Sequence, residues 1–128
     1  MKKRILCIDD DEDTCLMLRV LLELADYQVA TAGTFTDGLN LAKDQQFDLY
    51  LVDFRLPDGS GSELCQEIRS FDSHSPIIFC SGRAGREDRK EATDAGADAY
   101  LIKPVEPDLL KKTMHSLLYK ASHAGHNA

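Results

Sequence analysis

Four short apolar runs that do not alternate punctuate the chain: Ile5-Leu6-Cys7-Ile8, Leu49-Tyr50-Leu51-Val52, Ile77-Ile78-Phe79-Cys80 and Tyr100-Leu101-Ile102. Such runs, bounded by polar or turn-forming residues, mark strands covered on both faces, as in a parallel sheet. Residues 27–32 form a fifth, less apolar candidate. Between the runs, apolar residues recur at helical spacing. Leu18, Leu21, Leu22 and Ala25 line one face of a first helix, with Asp11, Glu12 and Asp13 crowded at its start, where negative charge suits the helix dipole. Thr34 is the expected N-cap of a second helix, with Asp37 three residues on. Phe35, Leu39 and Ala42 line its inner side, although Gly38 lowers its propensity.

Ser60 and Glu63 offer a second capping pair, followed by Leu64 and Ile68 facing inward; Ser73, Ser75 and Pro76 end that helix. Residues 86–95 read as a polar fourth helix whose apolar stripe is little more than Ala92 and Ala95, with Gly96 as its stop. Burying so little, it is expected to be among the less firmly held elements. Pro107 opens the last helix, with Leu110, Met114, Leu117, Leu118 and Ala121 on its buried face. Strands alternating with helices imply an α/β fold: a doubly wound, five-stranded parallel sheet with right-handed crossovers and helices on both faces. One domain is expected over residues 1–121, with a short polar tail at 122–128.

Length and charge narrow the function. At 128 residues the chain suffices for a single domain with its own core. A net charge of -7 and a pI near 5.0 argue against direct nucleic-acid binding, which needs a basic face, and against docking on anionic membranes. The basic start at Lys2, Lys3 and Arg4 is no export signal, because its apolar stretch ends at Ile8 and meets three aspartates. No run is long enough for membrane insertion. Cys7, Cys15, Cys65 and Cys80 lack C-x-x-C spacing and sit mostly in apolar surroundings, so reduced thiols and a cytoplasmic setting are expected.

The candidate chemistry lies where the strands stop. Asp9-Asp10 follow the first strand, Asp53 the third, Ser81 the fourth and Lys103-Pro104 the fifth. In open parallel sheets, ligands sit outside the carboxyl ends of the strands. Carboxylates, a hydroxyl and an ammonium meeting there ask for a divalent cation and an anion together. Competing motifs fail at named positions. Asp9, Asp11 and Asp13 begin like a calcium loop, but Thr14 stands where its glycine belongs and Val20 where its glutamate belongs. Gly33 to Gly38 has P-loop spacing without the lysine, and Gly59-x-Gly61 runs into Leu64 instead of a third glycine.

Taken together and in order, these strand-end residues resemble the receiver domain of two-component response regulators, a flavodoxin-like fold shared with the chemotaxis response regulator. The similarity covers residues 3–119. It implies a signalling domain, not a turnover enzyme, that accepts a phosphoryl group onto Asp53 from a histidine kinase or histidine phosphotransfer protein. By the same resemblance, Asp10 holds Mg²⁺ directly, with Asp9 assisting, and Asp53 and the Arg55 backbone carbonyl complete the metal's protein ligands. Ser81 and Lys103 contact phosphoryl oxygens, the Lys103-Pro104 bond is cis, and Ser81 and Tyr100 act as the switch pair. Read from the residues alone, Tyr100 is equally a packed aromatic. The downstream target is expected on the face of the fourth helix, fifth strand and fifth helix. Arg55 and Arg83, each two residues beyond a site residue, are expected to shield the phosphoryl group from water.

A metal-dependent phosphohydrolase with Asp53 as nucleophile is the alternative of a different class. The sequence shows no lid or cap insertion to favour it. No output domain follows the last helix, so the domain is expected either to act by docking alone or to form the front of a longer protein.

Overall fold

Each apolar run becomes a strand, and strand alternates with helix: β1 (Arg4–Ile8), α1 (Glu12–Leu24), β2 (Gln28–Ala32), α2 (Phe35–Asp44), β3 (Leu49–Asp53), β4 (Arg55–Leu56), β5 (Gly59–Ser60), α3 (Gly61–Arg69), β6 (Ile77–Ser81), α4 (Arg86–Asp94), β7 (Ala99–Ile102) and α5 (Pro107–Ala124). The computed structural model describes residues 2–82 and 85–124. Five strands pair in parallel in the order β2-β1-β3-β6-β7. Register is tight where it matters for the site: Ile8 lies beside Val52, Asp53 beside Cys80, and Ser81 beside Ile102.

The period of two along a strand sends alternate side chains to opposite faces. Leu6, Ile8, Tyr50, Val52, Ile77 and Phe79 pack with Ala42 of α2, Leu64 and Ile68 of α3, and Ala92 of α4. Ile5, Cys7, Leu49, Leu51, Ile78, Cys80 and Leu101 pack with Leu18 and Leu22 of α1 and Leu110, Met114 and Leu118 of α5. The sheet is thus covered on both faces, as its unbroken apolar runs require.

The expected caps form. Thr34 Oγ1 accepts the Asp37 amide at 3.0 Å, and Ser60 Oγ accepts the Glu63 amide at 3.1 Å. Gly38 is explained by close packing: a Cβ there would lie 2.8 Å from the Ile8 side chain, so α2 comes near the sheet only with a hydrogen at this position. Gly96, at φ +107°, takes the left-handed conformation that stops α4.

Three features lie beyond the sequence reading. The turn after Asp53 is a small antiparallel ribbon, β4 with β5, turning through Pro57 and Asp58. Arg69, at the end of α3, donates to the carbonyls of Gly96, Asp72 and Ser75 and to the Asp98 carboxylate, fastening the loops before β6 and β7. Helix α5 runs on to Ala124, three residues into the stretch read as tail; residues 125–128 lie outside the described part, as does Arg83.

Candidate functional site

The order of strands reverses direction at β1 and β3, and the crevice outside their carboxyl ends is where a parallel sheet places its chemistry. Asp9 leaves β1 with its amide bonded to the Ala32 carbonyl at 3.0 Å. Asp53 ends β3. Ser81 ends β6, and its carbonyl accepts the Lys103 amide at 2.8 Å, joining the last two strand ends. The Lys103-Pro104 peptide bond is cis, as the resemblance implied.

These backbones bring charged groups into contact. Lys103 Nζ lies 2.7 Å from Asp9 Oδ2 and 3.5 Å from Asp53 Oδ1. The other Asp9 oxygen accepts the Asp11 amide at 3.0 Å. Asp9 is only 4% exposed, whereas Asp10 stands in solvent. One oxygen from each of Asp9, Asp10 and Asp53 falls within 4.8 Å of the others, a cluster that can hold a metal ion. A cleft of about 440 Å³ adjoins this cluster, lined by Asp9, Asp10, Glu12, Cys15, Arg19 and Thr31 among others.

The electrostatics show what the site lacks. Burial pushes the Asp53 carboxyl up to about 6, and the neighbouring Asp9 charge adds to the shift. Lys103 and the Arg55 backbone N–H offset these effects only in part. Burial opposes the Lys103 charge, but its bond to Asp9 and the charge of Asp53 outweigh burial and hold the ammonium above its usual range. One lysine therefore serves two carboxylates, Asp9 buried and Asp53 half-buried, with Asp10 beside them. An all-oxygen set of this kind suits a hard divalent cation, which satisfies the unspent negative charge.

The sequence-derived residues fall into groups. Asp9, Asp10, Asp53 and Lys103 converge, and Ser81 is buried at the same rim, 4% exposed. Asp11 serves instead as the N-cap of α1, accepting from the Asp13 amide and the Thr14 hydroxyl. Arg55 is exposed on the β4–β5 ribbon. Tyr100 is half-buried, its ring edge-on to Phe54 at 6.1 Å between centroids. The Arg89 guanidinium lies 5.3 Å from the Tyr100 ring centroid.

Two contributors escaped the sequence reading. Gly61 N donates to the Phe54 carbonyl at 2.7 Å, and a Cβ on Gly61 would lie 2.4 Å from the Asp53 carbonyl oxygen. Asp58 accepts the Phe35 and Thr36 amides and the Thr36 hydroxyl, holding the ribbon against the start of α2. The Pro57-Asp58-Gly59 turn was visible in the sequence, but no local signal indicates that Asp58 caps a helix more than twenty residues earlier.

Residues 5–115 match the family model described as the response regulator receiver domain. The chain belongs to this family. Among relatives of this receiver domain, the cell cycle response regulator CtrA of Brucella ovis is 32% identical over 118 residues, covering 92% of this chain and 51% of CtrA. The chain thus spans about half the length of that relative. A CheY-like receiver domain protein from Methanospirillum hungatei superposes with a TM-score of 0.93 at 33% identity, over 97% of this chain and 99% of that one. The chemotaxis response regulator CheY4 of Vibrio cholerae gives 0.87 at 28% identity, over 91% and 99%. The flavodoxin-like, doubly wound receiver fold is therefore as expected, and the domain is of the two-component signalling type. Its four cysteines are free, and no described helix is long and apolar enough to cross a membrane.

Proposed function

We propose that this receiver domain accepts a phosphoryl group onto a carboxylate oxygen of Asp53, taken from the phosphohistidine of a histidine kinase or histidine phosphotransfer protein. The observation that carries this reading is the meeting of Asp53 with Asp9, Asp10 and Lys103 at one rim. In the transfer an Asp53 oxygen bonds to phosphorus while the bond from phosphorus to the donor imidazole nitrogen breaks. The imidazole leaves with that electron pair. Two anions must approach, so the step needs positive charge at the transferring oxygens.

Mg²⁺, held by Asp9, Asp10, Asp53 and the Arg55 carbonyl, would supply part of that charge. Lys103 brings the rest as a point charge, steadied by Asp9. The Ser81 hydroxyl donates to a further phosphoryl oxygen. Arg55, exposed on the ribbon that follows Asp53, slows the loss of the phosphoryl group to water. Catalysis is confined to the domain's own phosphorylation and dephosphorylation, so it works as a switch in a cytoplasmic relay. Its output is a protein target docking on the face of α4, β7 and α5, to which Tyr100, packed against the neighbour of Asp53, connects the site.

Incubation with Mg²⁺ and acetyl phosphate, followed by intact mass measurement, tests the reading. The expected result is one added phosphoryl group, which does not form when the metal is chelated before the donor is added and is absent from Asp53→Asn. Single labelling of that variant at undiminished yield would overturn the assignment.

A further inference from the structure

Besides its hydrophobic core, the described part of the chain buries Asp9, Ser62 and Ser81. Asp9 and Ser81 belong to the strand-end site; Ser62 does not. It stands in the first turn of α3, where no helical carbonyl lies four residues back to accept its hydroxyl. That hydroxyl donates instead to Glu91 Oε2 of α4 at 2.6 Å. A hydroxyl–carboxylate bond of this length is already at the short, strong end of its range, so movement on either side weakens it.

The bond joins α4 to the backbone beside Asp53. Gly61, the residue before Ser62, donates to the Phe54 carbonyl at 2.7 Å and packs against the Asp53 carbonyl with no space for a Cβ. A shift of the Asp53–Phe54 peptide therefore passes to Ser62 without slack. On the other side, Glu91 lies in the middle of a helix that buries only Ala92 and has no side-chain cap at its start. Beyond the end of α4, the Gly96 carbonyl is held by Arg69 Nε at 3.1 Å and Nη2 at 2.9 Å. A cleft of about 510 Å³ separates α4 from the β4–β5 ribbon, lined by Phe54, Leu56, Glu63, Asp88 and Glu91 among others. Helix α4 is thus anchored past its far end, fastened at its middle and open beside its start.

We propose that the Ser62–Glu91 hydrogen bond is a latch that holds α4 in its unloaded position and is given up when Asp53 is loaded. The proposal rests on Asp53 being the phosphoacceptor. Loading places a bulky dianion on a half-buried carboxylate, and the peptide that carries Asp53 shifts with it. Gly61 follows, the latch lengthens, and α4 swings about the Arg69 anchor beside the open cleft. Exposed Glu91 regains water on release, but the buried Ser62 hydroxyl loses its partner, so the closed latch is the resting state. Coupling is reciprocal: whatever loading costs the latch, the latch costs loading.

Titration of beryllium fluoride, a reversible phosphoryl mimic, into the full chain with Mg²⁺ tests this, with hydrogen exchange of α4 read in parallel. Ser62→Ala and Glu91→Ala should each bind the probe at least about fivefold more tightly than the wild type. The double variant should gain no more than either single one, because all three remove the same bond. Without the probe, α4 amides should exchange faster in each variant while those of β1 and β3 do not change. Adding the probe to the wild type should produce the same acceleration. Unchanged α4 exchange in both variants overturns the latch. Faster exchange with unchanged or weaker probe affinity overturns its coupling to Asp53, and gains that add in the double variant overturn the shared bond. A wild type that takes neither beryllium fluoride nor a phosphoryl group from acetyl phosphate overturns the phosphoacceptor reading and the coupling with it, while α4 exchange in the probe-free variants still decides the fastening.

Discussion

Gly61 has no side chain where none would fit: a Cβ there would lie 2.4 Å from the Asp53 carbonyl oxygen and 2.7 Å from the Phe79 ring. The first obstacle is backbone, which cannot turn aside. Gly61→Ala should therefore cost on the order of 1–3 kcal/mol, read by urea denaturation, and reduce phosphoryl acceptance as the Asp53 backbone shifts. The adjacent aspartates separate by role. Asp10 belongs to the acidic cluster, whereas Asp11 caps α1 and is held below the usual carboxylate range by the Thr14 hydroxyl and the Asp13 amide. Asp10→Ala should lose Mg²⁺ affinity at least about tenfold, in keeping with a lost metal contact, whereas Asp11→Ala keeps it and unfolds at lower urea. Equal losses in a metal titration would contradict this division. Asp72 offers a pH test. Partial burial pushes its pKa up, but the Ser75 and His74 amides and the Tyr50 hydroxyl outweigh that and lower it. A depressed folded-state pKa contributes stability above the unfolded value, near 3.9, and loses it as pH falls through the folded one. The stability gap between wild type and Asp72→Asn should be full at neutral pH and shrink below about pH 4, measured as urea midpoints.

At the scale of elements, α2 shows how packing overrides propensity. Replacing a helical glycine with alanine gains about 1 kcal/mol in isolation. At Gly38 the new methyl would press on three atoms of the Ile8 side chain at 2.8 to 3.0 Å, inside the core. Overpacking costs of about 1–3 kcal/mol exceed the gain, so Gly38→Ala should destabilise; a raised melting temperature would refute this. The start of α2 depends on another element as well. Desolvation opposes the Asp58 charge, but the Thr36 and Phe35 amides and the Thr36 hydroxyl together outweigh it and hold its carboxyl below the usual range. Asp58→Ala should free those two amides, and hydrogen exchange at Phe35 and Thr36 should accelerate more than exchange in the body of α2.

Across the whole molecule, stability is uneven. Helices α1, α3 and α5 bury leucine, isoleucine or methionine against the sheet, while α4 buries Ala92, with Ala95 just past its end. Its start at Gly85 has no side-chain cap. Amides of α4 should therefore exchange first among the helices, and slower exchange there than in α3 would contradict this account. A helix so lightly held, whose own Arg89 lies over the Tyr100 ring, suits the proposed role of a face that changes when the site is loaded. Arg69 limits the change by tying the loops after α4 and before β6 to the end of α3.

Much of this was legible in the chain. Unbroken apolar runs specify strands covered on both faces, helical spacing specifies the inner side of each helix, and Thr34 and Ser60 announce their caps. These signals are local, so they survive without a fold. The strand-end residues Asp9, Asp10, Asp53, Ser81 and Lys103 were legible for the same reason. Their division of labour was not. Only tertiary structure makes Asp9 the buried partner of a lysine 94 residues away, leaves Asp10 in solvent, and raises the Asp53 carboxyl to about 6. Gly38, Asp58 and Gly61 likewise draw their meaning from residues on other elements. A sequence carries periods and caps in its own order, but burial and charge pairing arise between segments that only the closed sheet brings together.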